Sequence, residues 1–598
     1  MKRLLTFPAL LLTLAAAPAP LVVGSVRDQT GAPIPGATVA AGGVRTTTAA
    51  DGTFALQAGG TDAIRISCAY CLPAIVRVAG SEPVVAIVRR YQALLGTGPS
   101  QDDLRSLPYG RAESAVSLQP FVVLNDNRAF LPGPRLSDRG ASRQGGVILD
   151  DGIPNYDIVA NVSGLPTMPL FTLRRSEVFS AGETSYYGDQ VSGGIFSLSD
   201  LPQQGLDAFA IGGKEAAFRA AFAGMGGAYA AATSGNAFDT RARAAAQVQT
   251  AIGTDSLEST FLAARANIRQ GPTSIGQDME GFRAQYTRIR DTALAATLVA
   301  DRAGYDTSSP LTALWTDVAG ELNVSSQTRV QVFGDFGFRR STGRYAADTF
   351  GLRVAGTAGQ THLDVGAQTH GDRYDVRAGI GAYTIAYNGG AGGAVLPMSA
   401  QAISPSLYVS YDLSPQWNVE VYAGGSFRLP TLLEAYATNV AAGPLPIDRY
   451  AQFTQTVSYT DLRRLKISVT SMNESLSSLD NGTVRAIGFS FSWQIAPAIS
   501  LRAWTLYFND QTQAYESLLR FGRPAQSGTP GSLWLTYENP SGLRLDGIYR
   551  ADLLDALPNR HVDASLSAPL ADRMRWFVGT ERRRDTRYVD AGIRFEGP

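Results

Sequence analysis

Apolar and polar residues alternate along much of the chain after residue 204. In the segment IGFSFSWQI, Ile487 and Phe489 fall on one face of an extended chain, and Gly488 and Ser490 fall on the other. A period of two residues is typical of β-strands that have one apolar face. The tripeptide APA follows, and a new alternating segment begins at Ile499. The pattern predicts antiparallel strands joined by tight turns.

The same alternation runs from Leu407 to Leu413, is broken by SPQ, and resumes at Trp417. Strand pairs that continue from Gly205 to the C-terminus favour a closed barrel, because closure leaves no unpaired sheet edge. The segment accommodates about 22 strands of about 9 to 11 spanning residues, although about 16 or 18 strands would also fit. We therefore predict a mainly β fold dominated by a large antiparallel transmembrane β-barrel of about 22 strands.

The composition excludes several classes of function. Lys and Arg together number 52, as do Asp and Glu, so the formal net charge is zero. The chain therefore has no excess positive charge that would favour nucleic acid as a partner. Charged residues make up 17% of the chain, against roughly 25% in soluble proteins. The mean hydropathy is near zero, which a transmembrane barrel also shows because only alternate residues face lipid.

The sequence offers no pairing of a nucleophile with a base and no cluster of metal ligands, so we predict no enzymatic activity, metal or cofactor. The two cysteines, Cys68 and Cys71, form a lone CxxC pair without nearby histidines. Zinc would need further ligands, and a redox pair would need a helix N-terminus. We expect a local disulfide in an oxidising compartment.

The N-terminus has the pattern of an export signal. Lys2 and Arg3 precede an apolar stretch from Leu4 to Leu14, and AAAPAP then supplies small residues. The stretch is shorter than the about 20 residues that a spanning helix needs. We predict a secretory signal peptide over residues 1–19.

Short runs of Val, Ala and Thr between Gly24 and Leu56 are separated by the turn signals GAPIPG and ADG. This predicts a small unit of short antiparallel strands. The stretch resembles the carboxypeptidase regulatory-like domain, a transthyretin-like β-sandwich without catalytic groups, which would occupy residues 20–81. The matching residues are Gly24, Val26, Asp28, Gly31, Pro33, Ile34, Gly36, Ala37, Val39, Thr48, Asp51, Gly52, Phe54 and Leu56.

Two strand-and-turn units follow, VILDDGIPNYDIV and SYYGDQVSGGIFSLSDL. Gly152 and Pro154 favour a sharp reversal after the first strand, and Gly193 and Gly194 permit close backbone approach. These units resemble the plug domain of TonB-dependent outer-membrane receptors. The matching residues are Arg139, Gly140, Asp151, Gly152, Pro154, Arg175, Glu177, Tyr187, Gly188, Gly193 and Gly194.

The resemblance implies a compact α+β plug of residues 91–203 inside a barrel of residues 204–598. Where the family has Leu-Arg-Gly-Pro after its Glu-Val strand, this chain has FSAG. One arginine of the family's ionic lock between plug and barrel is therefore missing. Arg139, Arg174 and Arg175 are the candidates for that role.

Two interpretations fit the segment EPVVAIV between these units. It resembles a TonB box within residues 82–90, which would add as a strand to the sheet of the partner TonB. Alternatively, Val84 to Val88 is the last strand of the sandwich. The residues that would contact TonB are Glu82, Pro83, Val84, Val85, Ala86, Ile87 and Val88.

Two barrel segments also resemble the receptor family. FRLPTLLEAY resembles a motif at a barrel strand and its loop, for which we expect a structural role. RYVDAGIRFEGP resembles the terminal strand signal read by the barrel-assembly machinery. The residues in these positions are Phe427, Arg428, Pro430, Glu434, Tyr436 and Phe595.

The resemblance implies a receptor in the outer membrane of a Gram-negative bacterium, with its N-terminal domain and TonB box in the periplasm. It would import a scarce nutrient, a ferric siderophore, and TonB would supply the energy. The implied partners are TonB, outer-membrane lipid, the barrel-assembly machinery and a small iron chelate. The alternatives are an importer of a glycan or peptide, and a surface adhesin or structural barrel without transport.

Overall fold

The computed structural model describes residues 21–28, 33–34, 36–41, 44–49, 51–57, 63–68, 71–78, 83–88, 103, 107, 115–126, 135–139, 147–150, 153–155, 175–179, 195–199, 205–213, 215–223, 226–235, 239–252, 255–270, 273–289, 292–307, 311–326, 330–347, 352–370, 373–391, 396–414, 416–428, 448–461, 465–477, 482–496, 498–511, 527–539, 541–554, 557–571, 574–583 and 586–596. Contacts divide the chain into two compact units, with the boundary between Tyr91 and Gln92. Within the described residues, no helix is both long enough and apolar enough to cross a membrane.

The N-terminal unit consists of two small sheets. Its strands are β1 (Leu21–Asp28), β2 (Thr38–Ala41), β3 (Val44–Thr47), β4 (Thr53–Gln57), β5 (Ala63–Cys68), β6 (Cys71–Arg77) and β7 (Val84–Val88). One sheet has the order β4-β1-β7, and the other has the order β3-β2-β5-β6. β7 runs parallel to β1 and lies at the edge of its sheet.

The two sheets share one apolar core, as a sandwich requires. Val26 and Leu56 from the first sheet and Val39 and Ile66 from the second belong to the same buried cluster. Burial of these alternate residues explains the short Val- and Ala-rich runs. Gly52, in the ADG turn, has a φ of 77°, and a Cβ there would lie 2.6 Å from the Val26 carbonyl oxygen. The turn therefore requires glycine at this position.

In the described part of the second unit, six short strands precede the barrel. They are β8 (Val122–Asp126), β9 (Arg135–Asp138), β10 (Val147–Asp150), β11 (Ile153–Asn155), β12 (Arg175–Phe179) and β13 (Ile195–Ser199). Four of them form a sheet of order β11-β10-β13-β12, in which β10 and β13 are parallel. The strands of the two glycine-turn motifs are therefore direct neighbours. This sheet and the β8–β9 hairpin form the plug; its predicted α part stays a prediction.

The remaining strands form one antiparallel sheet. They are β14 (Gly205–Gly213), β15 (Glu215–Ala223), β16 (Gly226–Gly235), β17 (Asp239–Ile252), β18 (Asp255–Gln270), β19 (Thr273–Ile289), β20 (Thr292–Thr307), β21 (Leu311–Ser326), β22 (Val330–Ala347), β23 (Leu352–His370), β24 (Tyr374–Ala391), β25 (Leu396–Asp412), β26 (Trp417–Arg428), β27 (Asp448–Asp461), β28 (Leu465–Ser477), β29 (Gly482–Ala496), β30 (Ile499–Asp510), β31 (Ser527–Gly528), β32 (Gly531–Glu538), β33 (Arg544–Leu554), β34 (Leu557–Ala571), β35 (Met574–Arg583) and β36 (Thr586–Glu596).

The sheet closes on itself because β14 pairs with the last strand, β36. Each strand pairs with its neighbours in the sequence, and β31 and β32 both pair with β30, so they share one strand position. Within the residues that the structure describes, the barrel thus has twenty-two strand positions. This confirms the predicted mainly β fold with a large antiparallel barrel.

The barrel is apolar outside and polar inside. In β29 the outward Ile487 is 57% exposed, whereas the inward Ser490 is 1% exposed. Leu407 and Tyr411 of β25 likewise face outward, and Ser410 between them is buried. A water-soluble sandwich would bury the apolar face instead, so the exposed apolar band is the surface that lipid covers.

Aromatic side chains lie outward near one end of this band. The strands β25 and β26 are joined there through a short turn in which the Trp417 amide donates to the Ser414 carbonyl. Tyr411 and Trp417 flank that turn and are exposed, and so is Tyr537 near the end of β32. The Trp417 ring lies 5.0 Å from the ring of Tyr459 on the neighbouring strand. This is the arrangement of an interfacial girdle. This end lies opposite the two longest breaks between barrel strands, residues 429–447 and 511–526, and is called the end with short turns below.

A lysine on the lipid-facing surface tests this orientation. We expect Ile487→Lys to lower the free energy of unfolding by about 2 kcal/mol, because its charge would sit in the apolar band. The measurement is guanidinium unfolding of protein folded into lipid vesicles. Ser475→Lys, also outward but near the end of β28, is the control and should cost less than about 1 kcal/mol. Equal effects of the two substitutions would contradict the assignment.

Candidate functional site

The plug is held against one side of the bore by apolar packing. Leu118 and Val122 of the plug share a buried cluster with Trp534 of β32 and Ile548 of β33. The β8–β9 hairpin also extends the barrel sheet, because Leu553 pairs with Asn125. Both contacts fall on the wall formed by the last third of the barrel strands.

Phe121 is the centre of a second apolar contact between plug and barrel. Its side chain is 1% exposed and belongs to a cluster with Trp504 and Leu506 of β30. The rings of Phe121 and Trp504 meet edge to face at 6.4 Å. Gly488 provides the space, since a Cβ there would lie 2.5 Å from the Phe121 ring. This glycine is the polar-face residue of the segment IGFSFSWQI.

Arg139 is fully buried beside Phe121. Its backbone amide donates to the Phe121 carbonyl at 2.8 Å, and its Nε donates to Thr470 Oγ1 of β28 at 3.1 Å. Its guanidinium carbon also lies 5.8 Å above the Phe121 ring. Both residues have positive φ, 67° for Phe121 and 53° for Arg139, a backbone region that is costly for residues other than glycine. Plug and barrel together hold this conformation.

A buried ionic network anchors the first described residue of the plug, Asp103. Arg544 Nη2 donates to Asp103 Oδ1 at 2.8 Å, and Arg502 Nη1 donates to Asp103 Oδ2. Arg544 Nε also contacts Asp546 Oδ2 at 2.9 Å, and Asp546 accepts from the Trp534 indole at 2.9 Å. Arg502 and Arg544 lie at the starts of β30 and β33, near the end with short turns. Here the plug supplies the carboxylate and the barrel supplies the arginines.

The network makes plug anchoring dependent on pH. Burial by itself would raise the pKa of Asp103, but the charges of Arg502 and Arg544 outweigh burial and lower this pKa to about 2 from 3.8. Because the folded pKa is below the ordinary value, the ionised form stabilises the plug above about pH 4 and this contribution is lost as the pH falls towards 2.

We therefore expect acid to loosen the plug through Asp103. Between about pH 4 and pH 2, wild type should lose about 2 kcal/mol of plug stability that Asp103→Asn does not lose. The measurement is hydrogen exchange of β8 and β10 in both proteins at each pH. Parallel curves for the two proteins over this interval would contradict the role of Asp103.

The opposite wall of the bore, formed by β20 to β24, is polar and rich in carboxylates. Asp317 of β21 accepts from Arg339 Nε at 2.6 Å and from Ser341 Oγ at 2.7 Å. Asp335 Oδ1 lies 3.0 Å from His362 Nε2. Each of these carboxylates has a partner on a neighbouring strand.

The barrel motif residue Phe427 lies on β26 and packs against this wall. Its buried ring meets Tyr383 edge to face at 4.6 Å. The Tyr383 hydroxyl lies 2.9 Å from Asp364 Oδ2 and 3.0 Å from Asp364 Oδ1. Phe427 thus packs against Tyr383, which is hydrogen-bonded to Asp364 in the bore. Arg428 ends β26, and Phe595 lies in β36, which closes the barrel against β14.

The segment that resembles a TonB box lies largely in the sandwich. Val84–Val88 is strand β7, in which Val84 and Ala86 are buried in the shared core and Val85 is exposed. Pro83 precedes the strand, and Glu82 lies outside the described residues. Contact with TonB stays a prediction.

Some of the other predicted site residues lie in described strands, and the rest lie outside the described residues. Pro154 lies in β11, Arg175 and Glu177 lie in β12, and the register places Cys68 opposite Cys71. The disulfide stays a prediction. Outside the described residues lie the signal peptide and Gly140, Asp151, Gly152, Arg174, Tyr187, Gly188, Gly193, Gly194, Pro430, Glu434 and Tyr436.

Sequence reasoning missed Asp103, Phe121 and the arginines of the bore. A glycine within an alternating strand marks a close approach by another group, so Gly488 carried a signal for the Phe121 contact. Asp103 carried none, because adjacent carboxylates such as those in QDDLR are typical of a solvated surface. Its partner Arg544 is 441 positions away along the chain.

The fold resembles that of several solved bacterial proteins. One is the alcaligin outer-membrane receptor FauA of Bordetella pertussis, with a TM-score of 0.66 and 12% identity over 83% of this chain and 93% of that chain. Another is the FrpB iron transporter of Neisseria meningitidis, with a TM-score of 0.66 and 12% identity over 83% and 98%. A third is the ferric yersiniabactin uptake receptor FyuA of Yersinia pestis, with a TM-score of 0.62 and 12% identity over 83% and 96%. No family model and no curated protein matches the chain.

Proposed function

We propose that the chain is a TonB-dependent receptor of the outer membrane that imports a ferric siderophore into the periplasm. The observation that carries the proposal is a closed barrel with an apolar outer face whose bore holds a four-stranded plug. A plugged bore admits nothing by diffusion, so passage requires a rearrangement of the plug. The solved proteins with this fold include receptors for alcaligin and ferric yersiniabactin, both named as uptake or receptor proteins.

The two walls of the bore suit different roles in transport, one holding the plug and the other contacting the cargo. The wall of β27 to β33 packs against the plug through Phe121 and carries the network of Asp103. The wall of β20 to β24 is lined by hydrogen-bonded polar side chains such as Asp317 and Asp364. A hydrophilic chelate would pass along the polar wall, where polar groups replace its hydration.

The energy would come from a partner that pulls on the chain ahead of the plug. Asp103 is the first described residue of the plug and lies near the barrel end with short turns, which faces the periplasm in bacterial barrels. Tension from that side would reach the Asp103 network before the apolar contacts. TonB is the partner in this proposal, and residues 82–88 are its contact segment.

Uptake of radioactive iron tests the proposal. The chain would be expressed in a Gram-negative host that lacks its own siderophore receptors, and the cells would receive ferric complexes of hydroxamate and catecholate chelators. We expect uptake of at least one complex, and its loss in a host without TonB. Uptake that persists without TonB would contradict energy coupling, and the absence of uptake for every complex would contradict siderophore import.

The contact segment can be tested without breaking the sandwich. Val85 is exposed on β7, and Val44 is exposed on β3 of the same unit. We expect Val85→Glu to reduce uptake, because a charge would oppose addition of the segment to a partner sheet. Val44→Glu is the matched control and should leave uptake unchanged. Equal uptake by the two variants would contradict contact through this segment.

A barrel that does not transport is the second candidate. The observation that favours it is the burial of Val84 and Ala86 in the sandwich core, which engages the contact segment in structure. Such a protein would adhere to a surface or stabilise the membrane. Its expected signature is an unchanged surface function when the host lacks TonB, together with no uptake of any complex.

A further inference from the structure

Asp301 differs from the other carboxylates of the polar wall. It lies on the inner face of β20 and is 6% exposed, and neither of its two carboxylate oxygens has a hydrogen-bond partner. Asp317, Asp335 and Asp364 each have one on a neighbouring strand. A buried carboxylate without a hydrogen-bond partner is costly, so its position on the wall of a bore points to a ligand.

A second carboxylate and one guanidinium lie beside Asp301. Asp301 lies directly opposite Asp317 in the pairing of β20 with β21. Like charges that face each other across a sheet repel. Arg339 is in contact with Asp317 through both Nε and Nη2. When both carboxylates are ionised, two negative charges face one guanidinium, and a single positive charge would balance the excess.

An indole ring completes the site. Trp315 precedes Asp317 by two residues, so both face the bore, and its side chain is 1% exposed. The register places Trp315 opposite Ala303, diagonal to Asp301, and such neighbours lie about 7–8 Å apart. Indole rings attract cations to their faces, so the pair suits an organic cation that bridges them.

The plug touches this site. Ile153 of the β10–β11 hairpin packs over Gly281 of β19, where a Cβ would lie 2.9 Å from Ile153 Cδ1 and 3.8 Å from the Asp301 Cβ. Gly281 is the residue opposite Asp301 in the register. A group bound at Asp301 would therefore lie next to the plug hairpin.

We propose that Asp301 and Trp315 form a subsite for a protonated amine of the cargo, on the polar wall beside the plug. This deepens the proposed import function and rests on it. A divalent metal ion fits less well, because it prefers several oxygen ligands. In the part of the chain that the structure describes, no group of three metal-ligating side chains is placed to hold one.

Binding of n-butylammonium to the purified full-length protein in detergent tests the subsite, with n-butanol as the uncharged probe of similar shape. We expect calorimetry to show saturable binding of the ammonium and none of the alcohol. Asp301→Asn should weaken this binding by about tenfold or more, since it replaces a charged acceptor of the ammonium by a neutral one. Asp306→Asn is the matched control, because Asp306 is exposed on the same strand, and should bind as wild type does.

A second measurement separates a binding role from a structural one. Asp301→Asn should leave the thermal stability of the ligand-free protein unchanged or raise it, because it removes an unbalanced buried charge. The proposal is overturned if wild type binds no ammonium at millimolar concentrations, if Asp301→Asn binds as tightly as wild type, or if this variant is markedly less stable. Binding is measured here without TonB or cells, so its failure is distinguishable from failure of uptake.

Discussion

Replacing Asp103 by alanine is expected to loosen the plug by about 3 kcal/mol, because it leaves arginines in a buried position without one of their carboxylates. Arg502 and Arg544 both contact Asp103, and the side chains of Asp103 and Arg544 are almost fully buried. Asp546 still contacts Arg544 in the variant, which keeps the loss at the lower end of the range for a broken buried pair.

Hydrogen exchange of the plug strands β8 and β10 measures this effect. A loss of about 3 kcal/mol corresponds to exchange faster by on the order of a hundredfold. Glu538→Gln is the matched control, because Glu538 is half exposed and its carboxylate lies 4.0 Å from Arg544 Nη1. An exposed ion pair contributes less than about 1 kcal/mol. If Asp103→Ala and Glu538→Gln exchange at the same rate, the buried network does not anchor the plug.

Truncation of Phe121 to alanine is expected to cost about 4 kcal/mol of plug stability, since a large ring would leave a cavity between two rigid walls. The ring contacts Trp504 and lies over Gly488. The positive φ of residue 121 strains alanine as well as phenylalanine, so the substitution relieves no backbone strain. Guanidinium unfolding followed through plug hydrogen exchange gives the free energy.

Two further variants make this prediction specific. Phe489→Ala removes the same ring from the outward face of β29 and should leave plug stability nearly unchanged. Gly488→Ala should loosen the plug on its own, because its Cβ would lie 2.5 Å from the Phe121 ring. In combination with Phe121→Ala its cost should fall, and additive costs would mean that the two positions do not contact each other.

A change in either contact should also alter the route by which the plug opens. The Asp103 network lies where the plug begins, whereas Phe121 and Arg139 hold a later part of it. A pull from the N-terminal side would meet the ionic contact first. Weakening the Asp103 contacts should therefore lower the pulling force that opens the plug. Weakening the Phe121 contacts should destabilise the closed state as a whole.

The barrel could be predicted from the sequence because its signal is local. Ile487 and Ser490 fall on opposite faces of any extended strand, and the sustained alternation of apolar and polar residues needs a membrane on one side and a filled bore on the other. The turn at Asp51 and Gly52 could likewise be predicted from the sequence, because only glycine accepts a φ of 77° without strain.

Some local signals left two outcomes open. The valines of residues 84–88 favour an extended chain both in a sandwich and in a partner's sheet, so the sequence could not choose between them. The structure pairs this segment with β1, because Val84 and Ala86 complete the core formed by both sheets. Whether the segment also contacts a partner depends on the difference in free energy between pairing with β1 and pairing with the partner's sheet. The local sequence pattern does not reveal this difference.

The strands, their two faces and the turns could be predicted without the structure, because they depend on residues a few positions apart. Which wall of the bore holds the plug, and which carboxylates are paired, depends on contacts between distant parts of the folded chain. Asp103 meets Arg544 across 441 positions, and Arg139 meets Thr470 across 331. Asp301 and Asp317 look alike in the sequence, yet Asp317 accepts a hydrogen bond from Arg339 and the Asp301 oxygens have no hydrogen-bond partner. Barrel closure and plug seating set the surroundings of each carboxylate.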